Sequence, residues 1–366
     1  MRLLLFDQFS DLGGAQQNLL ELLPAMQRQG WELMAALPGS GAVFERLRAL
    51  RLPVAHLRCG PYRMGSKSAT DAGRFLFDTP LLVRQVARIA GEFHPDVLYV
   101  NGPRLLPAVA LAKLRAPVVF HAHSYVSSPA ARRLVAASIA WARCSVIACC
   151  EFVAQPWRRF ARSVTVIYNG VSGPPSNRPP CEKRDFVIGC IGRLAPEKGQ
   201  LDFLKAAARI HRETGNCRFR IYGAPLFGAT ELAHYESELR RQALGQPVEF
   251  LGWTDDVYAA LSEMDLVLVP SARYEATTRV ILEAFSCGVP VIGYRSGGIP
   301  EVIDHGANGF LAESEQEMAA YAIELVRDPV RRARMSAQAC AAWRRRFTLD
   351  HYRKRILEAL AHCAER

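Results

Sequence analysis

The chain has 366 residues, 50% of them apolar, which suits two domains with separate cores. No Gly-X-Y repeat, heptad run or low-complexity tract occurs, which excludes a fibre, a coiled coil and a largely disordered chain. The net charge of +11 sits almost wholly in residues 1–172, with 20 basic and 10 acidic side chains against 26 and 25 in residues 173–366.

In chain order, residues 2–6 read as a strand and 16–29 as a helix, with apolar residues at 19, 20, 22, 23 and 26. Pro24 is expected to kink that helix or end it early. Strands at 97–100 and 118–120 flank a helical stretch at 105–115, and strands at 146–148 and 164–167 follow. This βα alternation argues for a parallel sheet covered by helices on both faces. It stops at Ser172-Gly173-Pro174-Pro175-Ser176-Asn177-Arg178-Pro179-Pro180, where four prolines in seven positions read as a linker. Beyond it come strands at 186–191, 218–222, 248–251, 266–269 and 289–292, a helix at 200–213, and a last helix at 348–361. The expected division is an N-terminal domain 1–172, a linker 173–184, a second domain 185–347, and a C-terminal helix 348–366 that packs back on the first domain. Ligands in such folds sit at the carboxyl ends of the strands, so two such domains imply a cleft to which both contribute.

Ten cysteines form no C-x-x-C pair, and several lie in apolar runs such as Ile188-Gly189-Cys190-Ile191, so reduced, buried thiols and a cytoplasmic setting are expected. Four apolar residues before Asp7 are too few for a signal peptide, and no run approaches 18 apolar residues. No carboxylate occurs between Val97 and Cys150. The front half is therefore expected to be drawn to something anionic: a membrane surface, a nucleic acid or a phosphorylated acceptor. Residues 129–143 read as a basic amphipathic helix, with Leu134, Ile139 and Trp141 apolar and Arg132, Arg133 and Arg143 near its ends. It suits either a peripheral membrane contact or ordinary core packing.

Several motifs carry chemistry. Gly13-Gly14 lies between the first strand and helix, where paired glycines let a ligand approach the backbone at a helix N-terminus. It is not the G-x-G-x-x-G of a dinucleotide fold. Gly192-Arg193-Leu194-Ala195-Pro196-Glu197-Lys198-Gly199 places two cations at the matching position of the second half, able to meet one diphosphate or to form a solvated loop with a Glu197–Lys198 pair. Glu275 and Glu283 fall roughly 10 Å apart if 278–286 is helical. That spacing suits two hydroxyl-bearing ends of one ligand and is long for a glycosidase carboxylate pair. His121 and His123 share one face of a strand and can hydrogen-bond a substrate; as zinc ligands they lack a third partner. No D-x-D occurs to hold a nucleotide-bound metal.

Together these segments resemble the retaining glycosyltransferases of family 4, which have the α/β GT-B architecture of two Rossmann-like domains facing across a cleft. The likeness covers nearly the whole chain. It is strongest where Glu275-x7-Glu283-Ala, Cys287-Gly288-Val289-Pro290-Val291, Gly297-Gly298-Ile299-Pro300-Glu301 and Gly309-Phe310-Leu311 occur in the family's order. Asn169-Gly170-Val171, Gly192-Arg193-Leu194 and Glu197-Lys198-Gly199 match as well.

The resemblance implies metal-independent transfer of a sugar from a UDP- or GDP-linked donor to a glycan, lipid-linked or small-molecule acceptor, with retention and no separate cofactor. Arg193 and Lys198 would neutralise the departing diphosphate, and Glu283 would accept from the ribose hydroxyls. Glu275 would contact the transferred sugar with the backbone N–H groups of Thr277 and Thr278, and His123 would face that sugar from the first domain. Gly13 and Gly14 would lie beside the diphosphate, and Gly252-Trp253-Thr254 would hold the base. Thr277-Thr278 stands where members often have Phe-Gly, and Asn101 where many have histidine. A peripheral position on the inner face of a membrane fits the basic first half, and no nucleic-acid partner is expected. A non-catalytic nucleotide-sugar-binding subunit and a nucleotide-sugar epimerase are the alternatives.

Overall fold

A parallel strand buried on both faces needs a near-continuous apolar run, and central strands such as Leu3-Leu4-Leu5-Phe6 and Leu266-Val267-Leu268-Val269 supply one; thirteen strands form among the residues described by the computed structural model, 1–60, 69–175, 185–225 and 230–365. Cys181 and the 176–184 part of the expected linker lie outside them.

The first sheet is built from β1 (Arg2–Asp7), β2 (Glu32–Pro38), β3 (Val54–Leu57), β4 (Val97–Asn101), β5 (Val118–Ala122), β6 (Ser145–Ala148) and β7 (Ser163–Val166), all parallel, in the order β3-β2-β1-β4-β5-β6-β7. Between them run α1 (Gly14–Arg28), α2 (Ala42–Ala49), α3 (Ala69–Phe93), α4 (Leu106–Leu111), α5 (Pro129–Trp141) and α6 (Glu151–Ala154). The second sheet holds β8 (Phe186–Ile191), β9 (Cys217–Tyr222), β10 (Val248–Gly252), β11 (Leu266–Val269), β12 (Val291–Tyr294) and β13 (Gly309–Ala312) in the order β10-β9-β8-β11-β12-β13. Its helices are α7 (Gln200–Thr214), α8 (Thr230–Gln242), α9 (Val257–Ser262), α10 (Arg279–Ser286), α11 (Glu315–Arg327) and α12 (Pro329–Arg346), and α13 (Leu349–Ala364) closes the chain.

Two compact units result, one of residues 1–169 with 349–366 and one of residues 170–348, each around its own core. α13 belongs to the first unit. Tyr352, Ile356 and Leu360 join that core, and the Arg353 Nε donates to the Glu21 carbonyl at 2.8 Å.

Some expectations are corrected. Pro24 does not end α1, which runs on to Arg28 because Leu19, Leu22, Leu23 and Met26 stay buried on one face around it. The 105–115 helix is only Leu106–Leu111. The strand expected at 289–292 begins two residues later, since Pro290 has no N–H to give the ladder and contributes its carbonyl to Val267 N at 3.1 Å.

Both sheets reverse direction once. The chain moves outward from β1 to β3 and returns on the far side of β1 as β4; it moves from β8 to β10 and returns as β11. In doubly wound sheets a crevice opens at the carboxyl ends of the strands at such a reversal, where the loops lead to opposite faces. The β1/β4 and β8/β11 ends are thus the places where each unit can receive a ligand.

Candidate active site

At the first reversal, parallel pairing sets Asp7 opposite Asn101 and Asn101 opposite His121. Asp7 is buried, and its carboxylate accepts from Asn101 Nδ2 at 2.5 Å, Gln16 Nε2 at 2.9 Å and the Phe9 N–H at 2.9 Å. Burial pushes its carboxyl up to about 6, against the pull of those donors. Asn101 Oδ1 lies 2.7 Å from His123 Nε2. Burial holds His123 down to about 3 and His121 well below the ordinary imidazole range, so both rings are neutral at physiological pH. Their centroids lie 3.8 Å apart, and His121 Nδ1 is hydrogen-bonded to the Tyr99 hydroxyl. Among the described residues no group of three His, Cys, Asp or Glu is placed to hold a metal ion.

Gly13 precedes α1 in an extended conformation without a side-chain cap, and Gly14 is the helix's first residue. A Cβ at Gly13 would come to 3.0 Å from Gln16 Oε1, against the amide that serves Asp7. The small residue and the buried carboxylate are therefore parts of one local arrangement.

At the second reversal, Lys198 Nζ donates to Glu275 Oε2 at 2.6 Å across 77 residues of sequence, with both side chains only 22% and 16% exposed. Lys198 ends a single turn, Pro196–Lys198, and Gly199 at φ 73° starts α7 from the left-handed region. Only glycine serves there, because a Cβ would stand 2.0 Å from the Pro270 carbonyl oxygen. Glu275 is fixed from the other side. A Cβ on Gly297 (φ 57°) would meet the Glu275 carbonyl oxygen at 1.8 Å, and the Gly298 N–H donates to that oxygen at 2.9 Å.

The pairing differs from the solvated Glu197–Lys198 contact that the sequence left open. Glu197 accepts from Arg193 at 2.5 Å, while Lys198 reaches Glu275. Gln200 Nε2 holds the Arg193 carbonyl at 2.8 Å. Thr278 stands just before α10, without a side-chain capping bond, and the helix carries Glu283 inward; Arg279 Nε donates to Glu283 at 3.3 Å, and both side chains are largely buried. Thr277 is buried immediately before it.

Gly252 (φ 73°) ends β10, and Trp253 is half-exposed beyond it with its Nε1 on Asp255 at 3.2 Å. Thr254 Oγ1 donates to the Asp256 carbonyl and accepts the Asp256 N–H, both at 3.2 Å. β10 is the edge strand, two strands from β8, so this turn stands apart from the Lys198–Glu275 pair along the same sheet end.

Two site features escaped sequence reasoning. Arg273 and Tyr274 are consecutive non-glycine residues in the left-handed region, at φ 60° and 62°, directly before Glu275. Such strain concentrates at functional sites. Asp7 is the other, hidden because a strand-end aspartate beside an apolar run carries no spacing signal.

The 129–143 helix proves mixed. Val135, Ala136 and Ile139 are buried, whereas Leu134 and Trp141 are exposed, Trp141 at 63%. Arg132 is not free on its basic side; it donates to the Tyr125 hydroxyl at 2.8 Å and the Val126 carbonyl at 3.2 Å. α4 packs against both α3 and α5; Phe77 and Leu81 are exposed on α3, and Leu111 on α4 itself. No helix among the described residues is long and apolar enough to cross a membrane.

Comparison with known proteins fits this geometry. Residues 12–172 match the family described as Glycosyltransferase Family 4, and residues 185–328 match Glycosyl transferases group 1. The chain is 36% identical over 163 residues to the GDP-mannose-dependent monoacylated alpha-(1-6)-phosphatidylinositol monomannoside mannosyltransferase of Corynebacterium glutamicum, covering 41% of this chain and 40% of that one. It is 48% identical over 83 residues to the N-acetyl-alpha-D-glucosaminyl L-malate synthase of Bacillus anthracis, covering 22% of each. The matched stretches thus span less than half the length of these curated relatives. Among solved structures, Anabaena HepE in complex with UDP-glucose superposes with a TM-score of 0.80 at 27% identity, over 99% of this chain and 100% of that one. With both halves matched and the pair of doubly wound units covered end to end, the chain belongs to the family-4 glycosyltransferases of the GT-B fold.

Proposed function

We propose that this protein transfers a sugar from a nucleoside diphosphate donor, UDP- or GDP-linked, to an acceptor hydroxyl with retention at the anomeric carbon. The observation that carries the reading is the Lys198–Glu275 pair at the β8/β11 reversal, held in place by Gly199 and Gly297. The complexes of HepE with UDP and with UDP-glucose support the donor class.

In this reading negative charge accumulates on the diphosphate as the glycosidic bond breaks, and a fixed cation there stabilises the transition state more than the ground state. Lys198 supplies that cation, with Arg193 beside it at the same strand end. Donor entry releases Lys198 from Glu275, which then accepts from hydroxyls of the transferred sugar. Backbone N–H groups at Thr277 and Thr278 act beside it, His123 faces the sugar, and Gly13 and Gly14 line the diphosphate. Glu283 receives the ribose hydroxyls and Gly252-Trp253-Thr254 the base. No enzyme nucleophile is assigned. The acceptor attacks the face from which the diphosphate leaves, and its proton passes to the departing phosphate oxygen. Metal is not required, so a chelator is expected to leave turnover intact.

The acceptor is a glycan, a lipid-linked sugar or a small molecule. Exposed Leu111, Leu134 and Trp141 lie within the carboxylate-free stretch, with Phe77 and Leu81 on α3, which packs against α4, and this favours contact with an anionic membrane surface. Co-sedimentation should then appear with anionic vesicles, weaken in salt, and fall for Trp141→Glu; binding equal to that of neutral vesicles would remove the membrane reading.

Titration calorimetry against UDP, GDP, ADP and their glucose and mannose conjugates tests the donor class. One base should bind well above the rest, and heat-silent titrations for all of them would overturn the reading. Binding without turnover would instead indicate a non-catalytic subunit, and conversion of the donor without acceptor an epimerase.

A further inference from the structure

Asp7 is buried at the end of β1, Asn101 is buried at the end of β4, and His123 follows β5, so three adjacent strands deliver three polar side chains to one point. The order of their hydrogen bonds has a chemical direction. An ionised carboxylate only accepts. The Asp7 oxygens already take the Phe9 N–H and the Gln16 amide, and the 2.5 Å contact from Asn101 must therefore be made by its NH2 group. That fixes the other end of the Asn101 amide as oxygen, which again only accepts. His123 Nε2, 2.7 Å away, is consequently the donor. A neutral imidazole with its proton on Nε2 keeps a lone pair on Nδ1, and Nδ1 is inaccessible to solvent and without a hydrogen-bond partner among the described residues.

We propose that Asp7, acting through Asn101, is a positioning residue that holds His123 as the Nε2–H tautomer and so makes its Nδ1 a hydrogen-bond acceptor. The functional use rests on the reading of His123 as a sugar-facing residue: donor entry uncovers Nδ1, which then receives a hydroxyl hydrogen of the donor sugar and does not donate to it. The resemblance to family 4 assigns no such role to Asp7. The Asn101 that departs from the family's common histidine is the link that transmits it.

The test is nitrogen NMR of the full-length protein labelled with 15N-histidine, with the His123 signals assigned by their loss in His123→Ala. In the wild type at pH 7.5, Nε2 should resonate as a protonated nitrogen and Nδ1 as an unprotonated one. In Asp7→Asn, the residue 7 oxygen stays with Phe9 and Gln16, its new NH2 faces Asn101, and Asn101 turns over. His123 should then exchange tautomer, with the proton on Nδ1. Asn101→Ala cuts the chain without introducing a new donor and should leave a mixture of tautomers, which keeps the test decisive should Asp7→Asn fail to fold. A wild-type proton on Nδ1, or the same tautomer in both variants, would overturn the proposal.

Kinetics separate this from the functional reading. With a donor in hand, Asp7→Asn should lower kcat about ten-fold while the Kd for the free nucleoside diphosphate moves less than about two-fold. An exchanged tautomer with unchanged kcat would uphold the relay and refute the sugar-facing role of His123.

Discussion

Replacing Lys198 by methionine keeps the unbranched apolar stem and removes the charged amino group, and two consequences of different size follow. The Lys198–Glu275 contact is 2.6 Å long and about four-fifths buried, between the exposed pairs worth about 0–1 kcal/mol and the fully buried ones whose disruption costs about 3–5 kcal/mol. A loss of about 2 kcal/mol is therefore expected. For a domain of this size that lowers Tm by roughly 4–8 °C, and it leaves a typical domain folded at 25 °C. Turnover should fall much further, by about 10²–10³, because a preorganised donor to developing charge contributes about 3–4 kcal/mol to the transition state. Scanning calorimetry gives the first number and release of nucleoside diphosphate the second. The double variant Lys198→Met, Glu275→Gln then discriminates. With both charges gone the fold should recover most of its Tm, yet turnover should stay at or below the level of Lys198→Met, since each residue has its own part in the reaction. Recovery of turnover together with Tm, or a Lys198→Met enzyme within about three-fold of wild type, would show that the pair is only structural.

Gly297→Ala drives a Cβ into the Glu275 backbone and should cost at least about ten-fold in turnover and more than about 1 kcal/mol in stability; a wild-type melting curve would mean that Glu275 is not held from this side. Glu283→Ala should weaken binding of the free nucleoside diphosphate, whereas Glu275→Ala should spare it and weaken only the nucleotide sugar, and equal losses for both ligands in calorimetry would undo that division. Asp7 carries a pH signature. Burial pushes its folded carboxyl up to about 6 from an ordinary value of 3.8, so between those values the native state holds more protons than the unfolded one, and stability falls as pH rises through the window. In urea unfolding, Asp7→Asn should therefore gain about 1–3 kcal/mol relative to wild type on going from pH 4 to pH 7.5, and a pH-independent difference would contradict the buried carboxylate.

The fold was legible wherever apolar runs were continuous. Residues 186–191 and 266–269 have the bounds their apolar runs predict, because apolar side chains fill both faces of central strands. β2 and β3 carry no clear strand signal: Leu33-Met34-Ala35-Ala36-Leu37 lacks β-branched residues, and Val54–Leu57 is a short edge strand with a histidine in it. In the site, glycines and charges flagged the right loops, but which charge meets which did not follow from spacing. Glu197 and Lys198 are neighbours in sequence, yet each pairs elsewhere, since Gly199 turns the chain at that point and Lys198 is carried toward the loop after β11. Asp7 and Asn101 lie 94 residues apart and are joined only by the β1–β4 register, a tertiary fact that a single sequence does not display.

Proton NMR of a running reaction tests the central claim most directly: the nucleotide sugar that binds best is mixed with a panel of sugar, glycolipid-headgroup and small hydroxylated acceptors, and the anomeric signal of the first product is followed before any mutarotation. Retaining transfer gives a product whose anomeric coupling matches that of the donor, formed in step with free nucleoside diphosphate, and abolished in Lys198→Met. A product of inverted configuration, or no sugar transfer with any donor that binds, would contradict it.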